Sequence, residues 1–288
     1  MSDNWDVIRA SWDATARAVG GAGRRPVGEF LARRAGFGLA RHAVALTGEP
    51  GAGKTVLFDA LSQEVRLGDT EKGRSPDREE GHRNFLLGSL RVRVSVMVVP
   101  GQESVQRERA LNRTLSGRTS PQGIIHVVCW GYNKMWDRRG QQAMERGVRD
   151  SAGTLSPDAL RAWHLEKELT DFEDLCDRIT QTRAAERSLR WLLVAVTKSD
   201  LYWDGIDEAR DYYIPGGSAV PSAGESGFCT ALRDLADHND LRIAVVPMSA
   251  QLIRHTFSET LAPQLSRLDS VGVGELRDGF YRTLKELL

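Results

Sequence analysis

Eight residues, GEPGAGKT from Gly48 to Thr55, constrain this chain more than any other stretch. They match G-x-x-x-x-G-K-T and stand between a short apolar run, HAVALT, and a helical pattern in which Leu57, Ala60, Leu61 and Val65 share one face. A loop carrying Gly48, Gly51 and Gly53 can turn successive backbone N–H groups inward around phosphate oxygens. The N-terminus of the following helix adds partial positive charge. Glu49, Pro50 and Ala52 complete the loop, and Val56 follows it into the helix. In such a loop Lys54 reaches the β- and γ-phosphates, and the Thr55 hydroxyl ligates Mg²⁺. The competing account, a glycine-rich turn with an accidental lysine, does not explain why a strand precedes it and a helix follows.

From residue 42 onward, strand and helix patterns alternate. Val92–Val99, Gly123–Trp130, Trp191–Val196 and Leu241–Val246 read as strands; Val56–Arg66, Val105–Leu115, Cys229–His238 and Leu276–Leu288 read as helices. The last helix should turn Phe280, Tyr281 and Leu284 inward. Short apolar strands separated by helices predict an α/β fold, a three-layer sandwich with a mainly parallel sheet covered on both faces. Ligands bind such sheets at the carboxyl ends of the strands. Residues 1–40 read as a helical extension: Trp5, Ile8, Trp12, Ala16 and Val19 recur at helical spacing behind an N-cap at Asp3 or Asn4, and a second helical stretch covers Val27–Ala35. The first helix suits packing on the core domain, with partner docking as the alternative. Residues 41–288 then form the main domain. Leu67–Phe85 and Tyr202–Gly227 read as surface loops, and Gly131–Ser188 as an insertion carrying a helix with Leu165, Leu169, Phe172 and Leu175 in register.

Composition narrows the setting. The 39 basic and 39 acidic residues cancel, which argues against bulk electrostatic binding of nucleic acid or an anionic membrane. No apolar run approaches the ~18–20 residues needed to span a bilayer. MSDNWDVIRASW has acids and no apolar signal core. Cys129, Cys176 and Cys229 are widely spaced and form neither a CxxC pattern nor a disulfide framework, so a reducing, cytoplasmic compartment is expected. Only six lysines are present, and two of them, Lys54 and Lys198, fall within motifs.

Three further motifs follow the strands in order: VVPGQE (Val98–Glu103), TKSD (Thr197–Asp200) and MSAQ, with Ser249 and Ala250. Together with Gly48–Thr55 they resemble the ordered motif set of the Ras-like and translation-factor GTPases, over residues 40 to about 288. The resemblance implies a P-loop GTPase binding GTP and Mg²⁺. Asp200 would accept hydrogen bonds from the guanine ring N–H and exocyclic amine, the Lys198 stem would cover base and ribose, and Thr197 opens that motif. Adenine presents the opposite pattern and would leave the carboxylate unpaired. In the third motif the backbone N–H of the Ser249–Ala250 loop would contact the guanine carbonyl, with Gln251 in place of the usual lysine.

VVPGQE departs from the family's D-x-x-G-Q, because Val98 takes the place of the aspartate that reaches Mg²⁺ through water. Gly101 would bind the γ-phosphate, and Gln102 would orient the attacking water. Bacterial gliding-motility polarity GTPases carry a similar V-P-G-Q segment. Thr70, the only threonine in Leu67–Leu90, is the candidate second Mg²⁺ ligand, with an ordinary loop threonine as the alternative. One of Arg74, Arg78 and Arg83 could serve as an arginine finger or simply as solvated charge.

These features imply a GTP/GDP switch with slow hydrolysis, acting on an unidentified protein effector. The alternative is a nucleotide-binding scaffold that does not turn over, in which Gln102 is merely a polar loop residue. An ATP-dependent enzyme is disfavoured by Thr197–Asp200. His126 reads as a core histidine, and Trp130, Trp136 and Trp203 as packing residues or a partner surface.

Overall fold

The computed structural model describes residues 2–20, 41–61, 83–87, 90–98, 121–135, 138–185, 189–216, 224–250, 254–258 and 261–288. Strands β1 (Arg41–Thr47), β2 (Arg83–Leu87), β3 (Leu90–Val98), β4 (Gly123–Val128), β5 (Trp191–Val196) and β6 (Arg242–Pro247) form one sheet in the order β2-β3-β1-β4-β5-β6. β1 runs parallel to β3 and β4, β4 to β5, and β5 to β6; β2 alone pairs antiparallel, along the edge of β3. A short hairpin pairs β7 (Arg254–His255) with β8 (Gln264–Leu265).

The central strands are the most apolar, as a sheet covered on both faces requires. Every residue of β4 and β5 is buried. The covering helices are α1 (Ser2–Gly20), α2 (Lys54–Leu61), α3 (Arg138–Ala152), α4 (Pro157–Ala185), α5 (Ile206–Tyr213), α6 (Gly227–His238) and α7 (Ser270–Leu287). Their starts are built locally. Ser156 accepts a hydrogen bond from the Ala159 N–H at α4, Ser226 from Cys229 at α6 and Asp269 from Gly272 at α7. Each satisfies one of the orphan amides of a first turn.

α1 packs across α7 and β6, with Ile8 and Trp12 buried in the main core. Arg9 donates to the Ile214 carbonyl at 2.9 Å, and Arg210 pairs with Asp13 at 3.1 Å, tying α1 to the end of α5. Trp12→Ala is therefore expected to destabilise the whole domain by about 3–5 kcal/mol, as loss of a fully buried indole does. Guanidinium unfolding checks this; a loss below about 1 kcal/mol would show that α1 is a detachable arm.

Several expectations need correction. Tyr202–Gly227 is not simply a surface loop. It contains a 3-10 turn, Trp203–Gly205, and then α5, whose Tyr213 is fully buried. Tyr212 and Tyr213 lie there because Phe228, at the start of α6, offers an apolar ring surface; Tyr213 meets it edge-on at 4.8 Å. The loop expected over Leu67–Phe85 overlaps β2, which begins at Arg83. The stretch between β4 and β5 holds two helices, α3 and α4, where one was expected. Tyr281 is only half-buried, its hydroxyl donating to the Ala60 carbonyl, while Phe280 and Leu284 are buried. α1 begins at Ser2, so Asp3 and Asn4 lie within the helix and do not cap it. The helices expected at Val27–Ala35 and Val105–Leu115 lie outside the described residues.

Candidate functional site

The parallel strands place their carboxyl ends along one edge. Val128 pairs with Val196 and Val196 with Pro247, so the segments leaving β4, β5 and β6 emerge side by side. β1 lies between β3 and β4 and delivers Gly48–Thr55 to the same edge, at the point where the chain's connections diverge to either side.

The glycine loop has a backbone that side chains would obstruct. Gly48 has φ +130° and Gly51 φ +74°. A Cβ on Gly48 would stand 2.1 Å from the Val127 carbonyl oxygen, and one on Gly51 equally close to that of Lys134. Gly53, the residue just before α2, also has positive φ, +106°, and its open side faces the Thr197 hydroxyl, 3.5 Å from where a Cβ would stand. Lys54, the first residue of α2, folds its ammonium over the loop and donates to the carbonyls of Gly48 (2.7 Å) and Glu49 (2.8 Å). Thr55 and Val56 follow in the first turn, half-buried.

TKSD leaves β5 beneath this loop. The Thr197 hydroxyl donates to the Ala52 carbonyl at 2.5 Å, with the Val128 carbonyl at 3.0 Å. Lys198 adopts φ +58° and is drawn between two segments, its ammonium donating to Gly51 O at 2.7 Å and Tyr132 O at 2.5 Å. Burial lowers the pKa of that ammonium from its ordinary value; the charges of Glu168 and Asp200 act in the opposite sense. Asp200 is wholly buried and accepts a hydrogen bond from Ser249 Oγ at 2.7 Å on Oδ1. Ala250 continues from Ser249, half-buried. Thus residues 48–55, 197–200 and 249–250, far apart in sequence, converge on one edge. Such an edge can hold an anion on loop amides and offers a carboxylate able to accept paired N–H donors.

Three candidates are not placed by the described residues: Thr70, Gly101 and Gln102 lie outside them, as do Arg74, Arg78, Trp136 and Gln251. Val98 is the last residue of β3, and Arg83 the first of β2. His126 is buried in β4, with Nδ1 3.0 Å from the Thr47 hydroxyl, which fits a core histidine. Trp130 is also buried, and the Arg161 guanidinium stacks 3.9 Å above its ring.

A part of the site escaped sequence reasoning. The turn after β4 touches the glycine loop directly: Asn133 Nδ2 donates to Pro50 O (3.1 Å) and the Lys134 N–H to Gly51 O (3.3 Å). Tyr132 supplies the carbonyl that holds Lys198, and its ring packs against Tyr202, His255 and Phe257. Burial, with Lys198 nearby, pushes His255 down to about 2, so this aromatic layer stays uncharged. One sequence signal pointed here: Glu168 occupies the apolar stripe of α4, between Leu165 and Phe172, where an acid needs partners.

Sheet order, glycine loop and following helix together define an α/β fold of the P-loop NTPase type. Protein-family models do not match the chain, and neither does any curated protein. Among solved structures, the FeoB G-domain from Methanococcus jannaschii aligns at 16% identity over 85% of this chain and 98% of that domain, with a TM-score of 0.35. A likeness of that size bears on neither ligand nor activity. Among the described residues no helix is long and apolar enough to cross a membrane.

Proposed function

We propose that this protein is a Ras-like GTP/GDP switch that hydrolyses the β–γ phosphoanhydride of GTP slowly, in the cytoplasm, and signals to a protein effector. The observation carrying the reading is the convergence of Asp200, Lys198 and Thr197 on the glycine loop, with Ser249 bound to the carboxylate. Ser249 donates to Oδ1, and in this reading the guanine ring N–H and amine would bond to the same carboxylate. Because Asp200 is fully buried, a base reaching it must displace what covers it. Three buried free thiols, Cys129, Cys176 and Cys229, accord with a reducing compartment.

In this reading Lys54 exchanges the carbonyls of Gly48 and Glu49 for the β- and γ-phosphates. The exchange releases those carbonyls and places a charge where negative charge builds up in the transition state. The amides of Gly51, Ala52 and Gly53 would line the phosphate cradle. Mg²⁺ suits the hydroxyl oxygen that Thr55 offers in the first turn of α2, beside the glycine loop. Mg²⁺ typically takes one or two protein ligands and completes its shell with substrate phosphates and water. Thr55 would be the protein ligand, joined by Thr70, and the ion would neutralise charge on the phosphates. Gly101 would sense the γ-phosphate, and Gln102 would orient the attacking water.

A second reading, a GTP-binding scaffold without turnover, is favoured by the identity of residue 98, a valine rather than an aspartate at the end of β3. Single-turnover hydrolysis of GTP with excess protein decides between them. The switch predicts a Mg²⁺-dependent rate on the order of 10⁻⁴ s⁻¹, as for an unassisted Ras-like site. GTP left intact after a day of tight binding would establish the scaffold.

A further inference from the structure

The turn that holds Lys198 is itself held from beneath by one carboxylate. Glu168, on α4, is only 1% exposed. Its Oε1 accepts from the Cys129 N–H at 2.8 Å and the Gly131 N–H at 3.4 Å, and shares the Cys129 thiol (3.4 Å) with Asn133 Oδ1 (3.3 Å). Its Oε2 accepts from the Tyr213 hydroxyl at 2.7 Å, and the oxygen of that hydroxyl accepts the Trp130 N–H at 2.8 Å. Three consecutive amides, Cys129 to Gly131, are therefore gathered onto Glu168, directly or through one phenol.

That gathering shapes the turn. Trp130 and Gly131 both have positive φ, +49° and +77°, a conformation unfavourable for a tryptophan. Successive N–H groups in such a turn form a concavity suited to an anion, and the Glu168 carboxylate lies against it. The next residue is Tyr132, whose carbonyl receives the Lys198 ammonium; the two after it, Asn133 and Lys134, bind the glycine loop.

Bulk packing alone would not call for this residue. Burying a carboxylate costs several kcal/mol, which an apolar residue in the same stripe of α4 would avoid. Burial raises the Glu168 pKa from its ordinary value, opposed by the bonds from Tyr213, Cys129 and Gly131. In the other direction, the Glu168 charge favours the ammonium of Lys198, against the effect of burial. The carboxylate thus meets the base-side lysine both through bonded geometry and through charge.

We infer that Glu168 is the positioning residue of the nucleoside subsite, fixing the Cys129–Tyr132 turn so that the Tyr132 carbonyl aims Lys198 across the base. The inference rests on the guanine-nucleotide reading above. It makes α4 the element through which a partner could loosen or tighten nucleotide binding without touching the nucleotide.

The test is a double-mutant cycle on the full chain, read by equilibrium binding of a fluorescent GDP analogue. Glu168→Gln, nearly isosteric, is expected to weaken binding about tenfold. In a Lys198→Met background the same substitution should change affinity less than twofold, because the group it positions is gone. Tyr213→Phe, which removes the phenol but keeps the carboxylate, should weaken binding three- to fivefold, and it decides the matter if Glu168→Gln fails to fold. Equal losses in both backgrounds would mean that Glu168 merely stabilises the fold, and the inference falls. It also falls if neither Glu168→Gln nor Tyr213→Phe alters affinity. Failure of the unmodified protein to bind GDP would instead overturn the guanine-nucleotide reading.

Discussion

Lys54→Ala is expected to lower affinity for GDP and GTP by roughly a thousandfold, while the protein stays folded. The ammonium lies 2.7 and 2.8 Å from two loop carbonyls and is 8% exposed, so it is held at the rim of the loop. Truncating one partner of a desolvated, charge-assisted contact costs about 2–5 kcal/mol, and each 1.4 kcal/mol is about tenfold in affinity. Folding should suffer little, because Gly48 and Glu49 can give their carbonyls to water. Titration calorimetry with GDP, alongside a melting curve, separates the two effects. Unchanged affinity would remove Gly48–Thr55 from the phosphate site.

Asp200→Asn is expected to exchange base specificity rather than abolish binding. Asparagine keeps an oxygen that can still accept from Ser249 Oγ, so the segments leaving β5 and β6 should stay joined. The change comes at the other atom, where an amide NH₂ would now confront the guanine N–H and amine. A buried polar group left without its partner costs about 1–3 kcal/mol, more when charge is involved. The expected loss for guanine nucleotides is about a hundredfold, with a comparable gain for xanthine nucleotides, whose 2-position is an oxygen. Competition between GDP and XDP for the same site measures the inversion. Full retention of guanine affinity would show that Asp200 does not read the base.

Against the structure, the sequence was most legible where the signal was local. The uninterrupted apolar residues of Trp191–Val196 mark that strand to its ends, and Gly48, Gly51 and Gly53 mark the turn of the loop, where all three have positive φ. Legibility failed for two different reasons. β2 was hidden in a polar context because an edge strand gains its pairing from β3 and carries no strong apolar period. α5 was obscured because Tyr212, Tyr213 and Pro215 look like loop chemistry, although Tyr213 belongs to the core. The partners of Glu168 are not legible because its donors come from Cys129, Gly131 and Tyr213, which no helical period connects to it.

The layered α/β fold and the order of its motifs can be read along the chain, because strand, helix and glycine turn are written in the spacing of neighbouring residues. The same spacing puts Lys54 at a helix start and Asp200 just past a buried strand. What those residues touch depends on the folded sheet. Lys198 meets Gly51 across 147 positions and Thr197 meets Ala52 across 145. Contacts of that separation exist only after the sheet has aligned its carboxyl ends. The support of the Lys198 turn by Glu168 belongs to the same class: an acid in the apolar stripe of α4 signals a need for partners, but which partners follows from where α4 packs.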